Sequence, residues 1–134
     1  MAARRPSASP AMSAATAASG THAFRWTAAS GMQDLGTFGG YESGAFGVSA
    51  DGSVVVGYSY DGRAFRLSGG VTTWLPFLPG DSANSAVGVS ADGQVVVGNS
   101  YVPFPEAGNS EAYRWAGGAS VGLGLLPNGT ASAA

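Results

Sequence analysis

The chain has 134 residues, enough for one domain, and it is rich in small residues and poor in charge. It contains 22 glycines and 24 alanines, six arginines, eight acidic residues and one histidine, but no cysteine, lysine or isoleucine. A net charge of −2 without clustered cations argues against a protein that binds nucleic acid or an anionic membrane. The lack of cysteine excludes disulfides, thiolate metal sites and cysteine nucleophiles, and no apolar run is long enough to span a membrane.

Residues 1–21 differ in composition from the rest of the chain. They include eight alanines and four serines, but no Val, Leu, Phe, Tyr or Trp. Such a segment buries too little apolar surface to offset the entropy lost on ordering, so it predicts a disordered tail. Arg4 and Arg5 ahead of small residues leave a secretory signal as the alternative, although no Leu or Val run follows them.

An internal repeat organises the remainder. Gly47–Gly57 reads GVSADGSVVVG and Gly88–Gly98 reads GVSADGQVVVG, which are identical at ten positions and lie 41 residues apart. A second motif occurs three times, as AFRW at 23–26, AFRL at 64–67 and AYRW at 112–115. Each copy is followed by a glycine turn and a Leu-x-x-Phe/Leu segment. The chain therefore repeats every 41 to 48 residues.

Each repeat predicts four short strands. In the second repeat they cover 45–49, 54–58, 64–67 and 71–75, because β-prone residues there are separated by turn residues. Asp51-Gly52 and Asp92-Gly93 predict tight hairpin turns, in which glycine supplies a positive φ. No stretch beyond the tail has a helical period. The sequence thus predicts an all-β array of four-stranded antiparallel meanders.

A meander of this period is typical of a β-propeller blade. The repeat domain would span 22–134, with a half blade at 22–39 and two blades at 45–79 and 86–127. This gives about ten strands and about 2.5 blades. A third Asp-Gly turn would fall near position 140, so we expect an incomplete, open array whose end faces meet further repeats or other copies of the chain.

Three segments carry a resemblance to a known family. HAFRW at 22–26, GMQDLGTFGG at 31–40 and the Gly47–Gly57 motif are similar to the HAF repeat, an extracellular repeat of bacterial proteins. The resemblance extends from His22 to about Gly129, although Arg63 and Glu111 stand where His22 stands in the first unit. It implies an exported or surface-associated protein with a propeller-like all-β fold, and it implies no catalytic residue.

Motifs that carry chemistry are scarce. The sequence has no nucleophile elbow, phosphate-binding loop or metal-spaced histidines. His22 is expected to be an exposed residue at a strand edge rather than a ligand. Asp51 and Asp92 are explained by their turns, and the alternative of a calcium site has no Asp-x-Asp-x-Asp loop behind it. We expect no cofactor and no metal.

Arg25, Arg66 and Arg114 occupy one register, and each follows an aromatic ring. We expect each guanidinium to pair with a carboxylate or a turn carbonyl in an adjoining hairpin, such as that of Asp51 or Asp92, and to stack on a ring. A solvated position is the alternative.

Aromatic residues fall into two groups. Those at matched places in the repeats are expected to fill the core between blades: Phe24, Trp26, Phe65, Trp74, Tyr113 and Trp115. The others lie beside predicted turns, where propellers carry binding loops, and are candidates for stacking against a ligand: Tyr41, Tyr58, Tyr60 and Tyr101.

Two classes of function follow. The chain is a noncatalytic secreted or cell-surface module that serves as a scaffold or binds a glycan or protein, or it is a fragment of a propeller enzyme acting on glycans whose catalytic loops lie in other blades. The acidic residues are scattered and lie mostly in turns, which favours the first class.

Overall fold

A computed structural model describes residues 11–17, 20–103, 110–125, 127 and 131–134, with the backbone alone for 11–17 and 20. These residues form eleven strands in three antiparallel sheets and contain no helix, which confirms the all-β prediction. The strands are β1 (Ala11–Ala17), β2 (Gly20–Thr27), β3 (Gly31–Gly36), β4 (Ser43–Val48), β5 (Val54–Ser59), β6 (Arg63–Ser68), β7 (Val71–Trp74), β8 (Ala83–Val89), β9 (Val95–Tyr101), β10 (Glu111–Ala116) and β11 (Ala119–Gly122).

The second and third sheets are the same four-stranded meander. Their strands lie in chain order, β4-β5-β6-β7 and β8-β9-β10-β11. Gly57 lies opposite Phe65 in one sheet and Gly98 lies opposite Tyr113 in the other, and the first strand of each sheet has a bulge at the same place. The two predicted meanders therefore form, with their first strands starting a few residues earlier than predicted.

The first sheet has three strands in the described part of the chain, in the order β1-β2-β3. β2 and β3 correspond to the predicted half unit at 22–39. β1 falls within the segment predicted to be a disordered tail, so residues 11–17 depart from that expectation. The prediction considered only side-chain burial, whereas β1 is held by backbone pairing to β2, which needs no large side chain.

β1 also takes the register of the second strand of a repeat. Ala11 lies opposite Trp26 on β2, as Val55 lies opposite Leu67 on β6. The first sheet thus has counterparts of the second, third and fourth strands of a meander.

Consecutive sheets pack face to face through two apolar cores. The core between the second and third sheets buries Val54, Val56 and Leu75 against Tyr113 and Trp115. The core between the first and second sheets is built from Ala23, Leu35, Phe38, Ala45, Val48, Val55, Phe65, Leu67 and Trp74. The three sheets form an open array that does not close on itself. Within the described residues, nothing helical is available to cross a membrane.

Candidate functional site

The Asp-Gly hairpin of the second sheet is fixed by one carboxylate. Asp51 Oδ1 accepts hydrogen bonds from the Ser49 hydroxyl at 2.9 Å and from the amide and hydroxyl of Ser53 at 3.0 and 2.7 Å. The Gly52 amide donates to the Ser49 carbonyl, and Gly52 has a φ of 77°, which a residue with a Cβ adopts only with strain. Asp51 and Gly52 therefore hold the turn between β4 and β5.

The third sheet repeats this hairpin. Asp92 Oδ1 accepts from the Ser90 hydroxyl at 2.6 Å and from the Gln94 amide at 3.0 Å, and Gly93 has a φ of 76°. Hydrogen bonds to the charged carboxylate lower the pKa of both aspartates. The pKa of Asp51 falls to about 2, chiefly through Ser53, and that of Asp92 falls chiefly through Ser90.

Two of the three repeat arginines link one sheet to the hairpin of the next. Arg25 Nη1 donates to the Gly52 carbonyl at 3.1 Å, and Arg66 donates through Nε and Nη2 to the Gly93 carbonyl at 3.0 and 2.9 Å. The Arg66 guanidinium also lies 5.6 Å from the ring centroid of Trp115. The acceptors are turn carbonyls, and the aspartate carboxylates are engaged within their own hairpins.

The third arginine has a different environment. Arg114 lies on the face of the third sheet that points away from the second sheet, and its side chain is exposed. Among the described residues it makes no hydrogen bond or ion pair. It therefore provides an internal comparison for the two arginines that bridge sheets.

A second set of sheet-linking residues was missed by the sequence analysis. The amide of Ala23 donates to Ser43 Oγ at 2.9 Å, that of Ala64 to Asn84 Oδ1 at 2.7 Å, and that of Ala112 to Ser132 Oγ at 2.8 Å. In each case the acceptor lies 20 residues after the donor. The constant spacing of 20 residues could have identified these acceptors from the sequence. They were missed because the acceptor is serine in two units and asparagine in the other, so the position does not stand out as a repeated residue.

His22 is paired to a carboxylate. Its Nδ1 lies 2.9 Å from both carboxylate oxygens of Asp34 on the adjacent strand, and its side chain is only 15% exposed. The Gly36 amide also donates to Asp34, and together these contacts lower the pKa of the carboxyl group. The sequence predicted an exposed histidine. The contact with Asp34 was missed because Asp34 lies twelve residues away, across the β2–β3 pairing.

The four tyrosines proposed as ligand-stacking residues do not form one cluster. Tyr41 and Tyr60 are 80% and 62% exposed, and their rings meet edge to face at 6.1 Å. Tyr58 is half-buried and stacks on Phe46, with 5.2 Å between the ring centroids. Tyr101 is half-buried on the third sheet. We call Tyr41, Phe46, Tyr58 and Tyr60 the aromatic surface.

Local backbone features place these rings. Phe46 is the extra residue of the β4 bulge, and a bulge redirects a side chain. Tyr58 lies over Gly44, where an added Cβ would collide with the tyrosine ring. The backbone amide of Tyr60 donates to the Glu42 carbonyl at 2.9 Å, which holds the turn bearing Tyr60 against the segment bearing Tyr41.

Three of the four rings of the aromatic surface occur in the second unit alone, while the fourth, Tyr60, has Tyr101 as its counterpart in the third unit. The positions of Tyr41, Phe46 and Tyr58 are occupied in the third unit by Ser82, Val87 and Asn99. Since both units form the same meander, these three aromatics are not required by the meander itself.

A groove of about 500 Å³ lies at the third sheet. It carries two carboxylates, and one of them, Glu111, accepts a hydrogen bond from the Gly124 amide at 2.9 Å. Its lining includes Leu78, Pro79, Asp81, Val102, Glu111 and Leu125.

No group of three His, Cys, Asp or Glu side chains in the described ranges is arranged to hold a metal ion. Comparisons of the chain with protein-family models, with curated proteins and with solved structures find no match.

Proposed function

We propose that this protein is a noncatalytic, secreted or cell-surface β-repeat module of the kind that the HAF resemblance implies, and that its aromatic surface binds a glycan. The units would be arranged as in a propeller, with the first strand of each sheet innermost.

The close approach of the first strands supports the propeller-like arrangement. A Cβ added to Gly47 on β4 would lie 3.2 Å from the Cα of Gly88 on β8. The Ala50 amide of one Asp-Gly hairpin donates to the Ala91 carbonyl of the next at 3.0 Å. Inner strands of neighbouring propeller blades converge in this way, while the outer strands spread apart.

One contrast carries the proposal of binding. Most of the polar side chains that recur between units, including those of Asp51, Asp92 and Arg66, are used in contacts within or between sheets, and Arg114 is the exception among the described residues. The exposed rings of Tyr41 and Tyr60 are not used in this way, and their apolar faces with hydroxyl tips suit the stacking and hydrogen bonding of a sugar.

The test is a titration with soluble oligosaccharides, cellohexaose and chitohexaose, followed by amide chemical shifts. We expect shifts centred on the aromatic surface that are lost in Tyr41→Ala and in Tyr60→Ala. Val71→Ala replaces an equally exposed apolar residue elsewhere on the second sheet and should bind as the parent does. If neither sugar causes shifts, or if Val71→Ala loses the shifts as the tyrosine variants do, the glycan proposal is contradicted. A protein partner would then be the remaining candidate for this surface.

The enzyme alternative has its own observation, the carboxylates of Asp81 and Glu111 in one groove. If it were correct, incubation with the same oligosaccharides would release new reducing ends, and Asp81→Asn would abolish the release. We expect no release from the parent chain.

A further inference from the structure

The outward face of the third sheet carries poorly covered apolar residues beside the exposed Arg114. Leu123, which follows β11, is 57% exposed, whereas its counterpart Leu75 after β7 is 3% exposed beneath the third sheet. Val95 is half-buried, although its counterpart Val54 on β5 is buried. This face therefore has the composition of a junction between sheets without the covering sheet.

The outward face of the first sheet is its counterpart. Phe24 and Trp26 on β2 are half-buried and Met32 opposite Trp26 is 64% exposed. The residues equivalent to Phe24 in the other units, Phe65 and Tyr113, are fully buried against the preceding sheet. The first sheet thus presents the aromatic half of a junction.

The edges of the two sheets are also complementary. Residues 131–134 lie where the first strand of a following unit begins, because Ser132 repeats the contacts of Asn84: its amide donates to the Ser110 carbonyl at 2.8 Å, as that of Asn84 donates to Gly62 at 2.9 Å. Conversely, no strand among the described residues pairs with the outer edge of β1, whereas β5 and β9, in the same register, pair with β4 and β8.

We propose that the chain associates head to tail with a second copy of itself: the third sheet of one copy packs on the first sheet of the next, and residues 131–134 lie beside β1 of the second copy. The register of β4 on β5 places Ala133 opposite Ala14 of the second copy, as Gly44 lies opposite Tyr58. A second copy is the fitting occupant because this one chain carries both halves of a junction that it already forms twice internally. Such a contact is heterologous and closes into a ring or extends as a filament.

Disulfide trapping tests the register. The chain has no cysteine, so Ala14→Cys and Ala133→Cys can be prepared separately, mixed and oxidised. Ala17→Cys, three residues along the same strand, replaces Ala14→Cys in the control mixture. Two cysteines that face each other in the docked pair have a far higher effective concentration than cysteines on free chains. The mixture of Ala14→Cys with Ala133→Cys should therefore yield about tenfold more mixed dimer than the control mixture. Equal yields would overturn the proposal.

Sedimentation of the full chain tests the faces. The parent should sediment at multiples of 13.2 kDa, and Leu123→Glu and Met32→Glu, on opposite sides of the junction, should each shift it to the monomer. Val71→Glu, an exposed site outside both faces, should assemble as the parent does, and circular dichroism establishes that all variants are folded. A parent that stays monomeric from micromolar to millimolar concentration refutes the proposal. Neither readout involves a sugar, so these results are independent of the glycan test.

Discussion

Replacing Arg66 by alanine should destabilise the chain far more than the same change at Arg114. The two residues share a register and a sequence context. Arg66 is half-buried, donates twice to the Gly93 carbonyl and lies over Trp115, whereas Arg114 is exposed on the outward face. The pair therefore isolates the contribution of the contact between sheets from that of the residue type.

The magnitude follows from the groups left behind. A hydrogen bond from a charged donor contributes about 1.5–3 kcal/mol net, and a partly exposed cation–π contact adds roughly 0.5–1 kcal/mol. Allowing for the partial exposure of Arg66, we expect its replacement to lower the free energy of unfolding by about 2 kcal/mol. At concentrations where the chain is monomeric and its outward face is open to solvent, Arg114→Ala should stay within about 0.5 kcal/mol of the parent, as surface substitutions do.

Urea unfolding followed by tryptophan fluorescence measures the difference. With a slope of about 1–3 kcal/mol per molar urea, the Arg66 variant should unfold at a midpoint lower by about 1 M. Arg66→Lys keeps the charge but not the forked donation, so it should lie between the parent and Arg66→Ala. Equal losses in Arg66→Ala and Arg114→Ala would refute the assignment of Arg66 to the junction.

Three further outcomes are expected. Asn84→Ala leaves two buried backbone groups without partners and should lower the free energy of unfolding by about 2–4 kcal/mol, against less than about 1 kcal/mol for Asn99→Ala at a half-buried site, both by urea unfolding. The pKa of Asp51 is lowered from 3.8 to about 2, so its contribution to stability is complete above pH 3.8 and lost as the pH falls to 2; melting temperatures should show a flatter acid limb in Asp51→Asn. Gly57→Ala places a Cβ on a backbone carbonyl and should lower the melting temperature markedly, whereas Gly88→Ala meets only the Val97 Cγ2 methyl group at 3.3 Å and should lower it much less.

The repeat was sufficient to predict the second and third sheets. Asp51-Gly52 and Asp92-Gly93 fix the turns, and the identical residues on either side of them pair in the same register. β1 could not be predicted, because a run of alanine, serine and threonine has no pattern that distinguishes a paired strand from a tail. It pairs because β2 offers a free edge.

The functional features were predicted less completely. Arg25 and Arg66 contact an adjoining hairpin, whereas Arg114 makes no such contact among the described residues, and composition alone could not choose between carboxylate and carbonyl as the acceptor. The carboxylates are already engaged within their own turns, where Asp51 accepts three hydrogen bonds and Asp92 accepts two. Tyr41 lies in the segment that connects the first sheet to the second, and Tyr60 lies in the turn after β5. No local sequence pattern predicts that these two segments meet.

The junctions between units are more constant than the units themselves. The three backbone amides that donate to a Ser or Asn side chain are each 20 residues before their acceptor. In both arginine contacts, donor and acceptor are 27 residues apart. The extra residues of the third unit lie between β9 and β10, within one sheet. The number of residues from the third strand of a unit to the hairpin of the next is therefore the same in both contacts, Arg25 with Gly52 and Arg66 with Gly93. A loop inside a sheet tolerates insertion because only its own ends must meet. The linking segment must deliver the capping Ser or Asn to a buried amide and the glycine carbonyl to an arginine at the same time. Each unit is therefore coupled to the next by the same two contacts. The free energy of unfolding should accordingly be the sum of contributions from each unit and from each interface between neighbouring units, rather than depend on one central core.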